Sequence, residues 1–237
     1  MALETRLRSF PQGFRALIIG SSGAIGSAFA GLLRTDPGCG AVVCISRHSL
    51  PMIDYANESS ISSAAAAFAD QPPFHLIINA AGVLHAAEFM PEKKFSDLNY
   101  TQMVTSFTVN AFGPALAMRH FLKLLDPHRG VFAVISAKVG SIGDNRLGGW
   151  YSYRASKAAL NMFLKTASIE SRRVNPNSVL VALHPGTVNS NLSEPFRGAQ
   201  IGRPPDAAAG DMLRVIDSLT PAETGCFYSY DGAQLPW

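Results

Sequence analysis

Two side chains one helical turn apart carry the clearest chemical signal. In Trp150-Tyr151-Ser152-Tyr153-Arg154-Ala155-Ser156-Lys157, Tyr153 and Lys157 are four positions apart. On a helix they project to the same side, with their heads within reach of one ligand. A phenol with a pKa of about 10 is a poor acid/base at neutral pH, and a neighbouring ammonium favours its phenolate form. Lys157 would therefore tune Tyr153. The same spacing also suits a tyrosine stacked in a helix interface above a surface lysine, so the pair is decided by its neighbours.

A second signal lies near the N-terminus, where Ile18-Ile19 runs into Gly20-Ser21-Ser22-Gly23-Ala24-Ile25-Gly26. Glycines here let the backbone turn tightly and approach a pyrophosphate, whose charge the following helix N-terminus stabilises. A dinucleotide is the natural ligand. Further on, Cys44-Ile45 leads into Ser46-Arg47-His48. An acidic residue there would hold the ribose 2′-hydroxyl of NAD, whereas a small Ser followed by Arg leaves room for a 2′-phosphate and pairs with it. That favours NADP(H) over NAD(H). Read without the glycine loop, Arg47 is one more solvated surface arginine.

These groups need a scaffold, and the apolar pattern supplies one. Ala16 to Ile19, Ala41 to Ile45, Phe74 to Ile78, Val131 to Ile135 and Ser178 to Leu183 are continuous apolar runs rather than alternating ones, as in strands buried on both faces of a parallel sheet. Between them Ile25 to Arg34, Ile61 to Ala69, Ala115 to Leu125 and Ala155 to Arg173 read as helices, the last beginning near Trp150. The alternation predicts an α/β, Rossmann-like, doubly wound parallel sheet with helices on both faces. In such a sheet ligands bind beyond the carboxyl ends of the strands. No linker interrupts residues 1–237, so one NADP(H)-binding domain is expected, in keeping with the size of single cores.

Composition narrows the class further. Twenty basic against seventeen acidic residues give a net charge of +3, without the basic blocks of a nucleic-acid face. The apolar runs are too short to span a membrane, and the first residues lack the apolar core of a secretory signal. A cytoplasmic protein without nucleic-acid or membrane partners is expected. Cys39, Cys44 and Cys226 show no metal-type pairing and read as reduced thiols, so no metal is expected.

In order and spacing these motifs resemble the short-chain dehydrogenase/reductase family over nearly the whole chain. Gly20 to Gly26 resembles its cofactor loop, Asn79-Ala80-Ala81-Gly82 its Asn-x-Ala-Gly turn, Asn110 its helix asparagine, and Tyr153 with Lys157 its catalytic pair. Pro185-Gly186-Thr187-Val188 resembles the segment that meets the nicotinamide carboxamide, and Asp54, near the end of a third family strand, its adenine-side aspartate. SIGDNRLGGWYSYRASKAALNM and the closing YDGAQLPW are most similar to small members related to C-factor cell-signalling proteins. The resemblance implies that Tyr153 protonates a carbonyl oxygen, or deprotonates an alcohol in reverse. It implies that Lys157 holds the nicotinamide ribose and lowers the phenol's pKa, and that Asn110 binds a proton-relaying water. A packing or helix-kink asparagine is the plainer role for Asn110. The substrate is then a small carbonyl or alcohol. The resemblance also implies a homodimer or homotetramer, packed on apolar surface at Ala158, Ala159, Leu160, Phe163 and Leu164.

Two departures stand out. The loop's middle glycine is displaced, leaving Ala24 in its usual place, and the family's catalytic serine falls on Ala137. Losing one positioned hydrogen bond to developing charge costs ~2.7–4 kcal/mol, or roughly 10²–10³ in rate. Ser136 and Ser141 are the nearby hydroxyls, although Ser136 faces the other side of an extended chain. Ala137 also opens a second reading, a dinucleotide-binding signalling or regulatory protein. Isomerisation on the same scaffold is a third, usually in longer chains. His85, after the Asn79–Gly82 turn, has the place to line a substrate cleft, but like His75 and His184 it reads as structural. Asn189 to Pro204, with Leu192, Phe196 and Arg197, lies where the resemblance implies a mobile substrate lid; as a long loop rich in Gly and Pro it also reads simply as a flexible connection.

Overall fold

A computed structural model describes residues 6–237. Six strands form one sheet: β1 (Phe14–Ile19), β2 (Cys39–Ile45), β3 (Leu76–Asn79), β4 (Val131–Ile135), β5 (Val179–His184) and β6 (Cys226–Ser229). Their order is β2-β1-β3-β4-β5-β6, and every neighbouring pair is parallel. The doubly wound sheet is therefore present, with its direction reversing between β1 and β3. Five strands lie on the expected apolar runs with ends shifted by one or two residues; Phe74 pairs only as an isolated bridge to Leu125. The sixth, Cys-Phe-Tyr-Ser, is too short and too mixed in polarity to stand out as a buried run.

The helices are α1 (Ala24–Thr35), α2 (Glu58–Ala66), α3 (Tyr100–Phe107), α4 (Gly113–Phe121), α5 (Tyr151–Val174), the short α6 (Gly198–Ile201) and α7 (Pro205–Ser218). The continuous runs are explained by what covers each face. Ala16 and Ile18 of β1 pack with Phe29 and Leu33 of α1 and with Met212, Leu213 and Ile216 of α7. The alternate residues Leu17 and Ile19 pack with Ile61 of α2, Phe121 of α4, and Leu160 and Leu164 of α5. Both sets are withdrawn from water, so both must be apolar.

Two expectations change. The helix expected from Ala115 begins far earlier, because α3 and α4 are joined by a π-helical turn, Thr108–Phe112, with Asn110 at its middle. Around Asp54 there is no strand. The chain there satisfies its backbone locally: Ile53 N donates to Ser46 O at 3.0 Å, Ser49 Oγ to Pro51 O at 2.7 Å, and Ala56 N to Asp54 Oδ1 at 3.0 Å. With these groups paired, no neighbouring ladder is required.

Candidate active site

At the switch point the two loops leaving β1 and β3 touch. Gly20 has φ +82°, and a Cβ there would lie 2.7 Å from Ala81 N, so neither the conformation nor the space admits a side chain. Gly26, in the first turn of α1, packs so closely that a Cβ would collide with Gly20 O and lie 3.0 Å from Ser21 Cα. The loop is tied to the end of β2, with Gly20 N at 2.9 Å and Ser21 N and Oγ at 3.3 Å from Ile45 O. Gly23 is the N-cap of α1 and offers no side-chain cap. The first-turn amides are therefore left for a ligand, the usual setting of an anion site. Ala24 starts the helix, and its methyl leaves this arrangement intact.

A cleft of about 750 Å³ opens from Ser22–Ile25, past Ala80–Gly82, to Tyr153, Lys157 and Pro185–Val188. Its size is that of a cofactor site. Lys157, buried to 3% exposure, donates Nζ to Ile135 O at 2.8 Å. Burial lowers its pKa to about 8, and its two remaining hydrogens are unassigned. Tyr153 is buried as well, which pushes its phenol above its ordinary value. The expected lowering by Lys157 is thus overridden: Nζ is turned to a carbonyl, 5.9 Å from the phenol ring centroid, and desolvation dominates. Asn110, fully buried, grips the peptides of Val83, with Nδ2 to Val83 O and Val83 N to Oδ1 both at 2.8 Å, and Nδ2 also reaches Ser156 Oγ at 3.1 Å. It locks the Ala80–Gly82 turn to α5. Asn110 Oδ1 and Lys157 Nζ each lie 3.5 Å from where a Cβ at Gly82 would be.

Ala137 lines the cleft. Neither nearby hydroxyl replaces the missing one: Ser136 Oγ donates to Asn161 Oδ1 at 2.7 Å, and Ser141 Oγ donates to Trp237 O at 3.3 Å while accepting from Asp144 N at 3.1 Å. Pro185 to Val188 line the cleft beyond β5. Gly186 has φ +75°, and a Cβ there would meet the Tyr230 ring at 2.9 Å.

Other expected residues lie outside the cleft lining. Ser46 is buried, accepting from His48 N at 3.2 Å. Arg47 is exposed, two positions past the Ile45 carbonyl that anchors the loop. Asp54 and Asn79 serve local turns, Asn79 Oδ1 accepting from Ala81 N at 3.2 Å. His75 is structural, accepting from Arg15 N at 3.2 Å. By contrast, His85 and His184 line the cleft: His85 lies on the segment after β3, and His184 is the last residue of β5. The Asn189 to Pro204 segment is folded over the cleft: Asn189 N donates to Arg203 O and Arg203 N to Thr187 O, closing its base, and His85 Nε2 lies 3.0 Å from Asn191 O.

Two residues escaped the sequence reading. Trp150 has φ 52°, following Gly148 at 63° and Gly149 at 65°, a conformation costing a bulky residue ~1–3 kcal/mol. Glu92 holds it there. Its carbonyl accepts from Trp150 N at 2.5 Å, and its buried carboxylate binds the Ser152 hydroxyl and, at 3.2 Å, the Ser152 amide. An anion at the start of α5 is favoured by the helix dipole. The Gly-Gly before Trp150 was the available sign; nothing in sequence points to Glu92.

Residues 52–200 match the family model described as short chain dehydrogenase; that stretch contains Asn79–Gly82, Asn110, Tyr153, Lys157 and Pro185–Val188, and begins after the glycine loop. The chain is 37% identical over 170 residues to the C-signal protein of Myxococcus xanthus, covering 70% of this chain and 93% of that one. It is 31% identical over 187 residues to 1-hydroxy-2-glutathionyl-2-methyl-3-butene dehydrogenase of Rhodococcus sp. (strain AD45), covering 79% of each. Among solved structures, a carbonyl reductase from chicken fatty liver with NADPH bound superposes with a TM-score of 0.80 at 24% identity, over 96% of this chain and all of that one. The carbonyl reductase Sniffer of D. melanogaster gives 0.81 at 20%, over 95% of this chain and 100% of that one. At these identities the structural likeness is one of fold.

Proposed function

Because the chain belongs to the short-chain dehydrogenase family, we propose that it transfers a hydride between NADP(H) and a carbonyl or alcohol, with Tyr153 as the acid/base. The observation that carries this is one cleft that joins the uncapped start of α1 to Tyr153 and Lys157. The site fits a dinucleotide: Gly20 and Gly26, where a Cβ would strike Ala81 N and Gly20 O, let the loop pack tightly and turn the uncapped start of α1 to the cleft, and the buried Lys157 ammonium has hydrogens to spare. Gly20 to Gly26, with Ser21 and Ser22, would hold the pyrophosphate, Asn79 to Gly82 would form the floor, and Pro185 to Val188 would meet the carboxamide. When bound, the dinucleotide supplies or accepts the hydride.

The chain's own groups do the rest. Lys157 orients the ribose, and Tyr153 donates its hydroxyl proton to the carbonyl oxygen as charge develops there. Asn110 Oδ1 and Lys157 Nζ, both facing Gly82, hold a water through which the proton is replaced. Asp54 stands on the adenine side. Arg47, beside the anchor of the loop, pairs with the 2′-phosphate and sets the preference for NADP(H) over NAD(H). Purified protein should oxidise NADPH when carbonyl compounds are added, and Arg47→Ala should raise KM for NADPH about tenfold, as befits a hydrogen bond to a charged group, with little effect on NADH. Binding of NADPH without turnover of any carbonyl would favour the regulatory reading that Ala137 opens; equal effects on both cofactors would remove the phosphate assignment.

We place the whole chain in one domain, and a second copy against α5; of the residues expected on that face Leu160 and Leu164 are instead buried against the sheet, and the exposed apolar surface is that of Met162, Phe163 and Ile169. Sedimentation should find a dimer or tetramer, and a monomer at micromolar concentration would contradict this. Among the described residues no helix is long and apolar enough to cross a membrane, and no metal-type cluster is found.

A further inference from the structure

The reacting end of the cleft is walled by a row of rings. His85 lies 6.1 Å from Phe196, Phe196 4.9 Å from Trp150, and Trp150 6.2 Å from Tyr153, centroid to centroid, and all four line the cleft. Two independent devices hold this row. The left-handed backbone of Trp150 is fixed through Glu92, and the segment carrying Phe196 is pinned by the His85 contact to Asn191 O. The serine hydroxyls nearby, by contrast, are engaged within the fold. Position 137 is alanine, Ser136 and Ser141 are engaged elsewhere, and Ser190 and Ser193 both donate to Val188 O. Among the described residues at the reacting end, Tyr153 and Thr187 keep hydroxyls without a partner in the fold, and Thr187 lies on the Pro185–Val188 segment assigned to the carboxamide, so orientation of the carbonyl falls to shape.

The geometry points to an aryl ketone or aryl aldehyde as the substrate class, its ring packed against Phe196 and Trp150 while the Tyr153 hydroxyl meets its oxygen. This inference rests on the hydride-transfer reading. Conjugation keeps an aryl carbonyl coplanar with its ring, so packing the ring also sets the direction of the C=O, which a saturated ring does not do. In the reaction the carbonyl carbon gains a hydride from NADPH, the C=O π bond opens, the oxygen takes the Tyr153 proton, and NADP⁺ and the aryl carbinol leave. Aromatic packing of this kind adds a few-fold to about tenfold beyond apolar area.

The test compares acetophenone with cyclohexyl methyl ketone in wild type, Phe196→Leu and Phe196→Tyr. Turnover and binding are both measured, binding through Trp150 fluorescence with NADP⁺ present in a Trp237→Phe background. The ratio of kcat/KM for the aryl over the cyclohexyl ketone should fall about five- to tenfold in Phe196→Leu, which keeps apolar bulk, and be retained in Phe196→Tyr. An unchanged ratio with both ketones still reduced would overturn the aryl slot and leave the oxidoreductase reading standing. Tighter binding of acetophenone, lost in Phe196→Leu but unaccompanied by turnover, would support the slot and overturn the oxidoreductase reading. Equal binding without turnover would overturn both.

Discussion

Replacing Tyr153 by Phe should lower kcat for carbonyl reduction by ~10²–10⁴-fold, the usual worth of a positioned general acid, and leave NADPH affinity essentially unchanged. The substitution removes the hydroxyl and keeps the ring that packs 6.2 Å from Trp150, so the wall of the cleft survives. Because burial holds the phenol above its ordinary pKa, Tyr153 is protonated throughout the neutral range, and no loss of reduction there arises from its titration. The upper limb belongs to Lys157. Its ammonium, with a pKa of about 8 in the free protein, is present below that pH and lost above it. The kcat/KM for NADPH, which reports groups of the free enzyme, should therefore fall as pH rises through about 8. The same depressed pKa means that the folded chain binds fewer protons than the unfolded one between about 8 and the ordinary 10.5, so stability from this group rises with pH across that window. Steady-state kinetics and urea unfolding at several pH values measure both. A Tyr153→Phe variant that retained wild-type kcat would assign the proton to another group.

The second large effect runs in the opposite direction. Ala137→Ser should raise kcat/KM for a given ketone by ~10- to 100-fold, somewhat below the 10²–10³ lost when such a donor is deleted from a site built around it. Ala137 has extended backbone, φ −148° and ψ 143°, which serine adopts freely, and it lines an open cleft, so an added oxygen meets space rather than packed side chains. The gain should be larger for aliphatic ketones, which lack a ring to orient them. Kinetics on matched ketones reads it directly, and an unchanged kcat/KM would mean that position 137 does not face the reacting carbonyl.

The legible parts of the fold were those in which one physical demand acts on consecutive residues. Val131 to Ile135 must be apolar throughout because α-helices cover both faces, and it reads as a strand without further help. The glycine loop was equally plain, because Gly20 and Gly26 sit where no Cβ fits. Helical spacing puts Tyr153 and Lys157 on one face of α5, but only the neighbouring motifs and the family they resemble singled the pair out. What escaped depends on distant partners. The strand Cys226–Ser229 is defined by pairing with β5, and α7, Pro205–Ser218, by its packing on α1. The strand expected at Asp54 failed because Ser49 and Asp54 side chains satisfied that backbone locally. Glu92 is sixty residues from the Ser152 it binds, and the phenol's raised pKa is a property of burial that spacing does not encode.

The central claim is tested most directly by following one isotope. Wild-type protein mixed with an aryl ketone and NADPH deuterated at the nicotinamide C4 should yield an alcohol carrying deuterium on its carbinol carbon, at a rate that collapses in Tyr153→Phe. NADPH held in the cleft, with no deuterium passed to any carbonyl compound, would contradict the account.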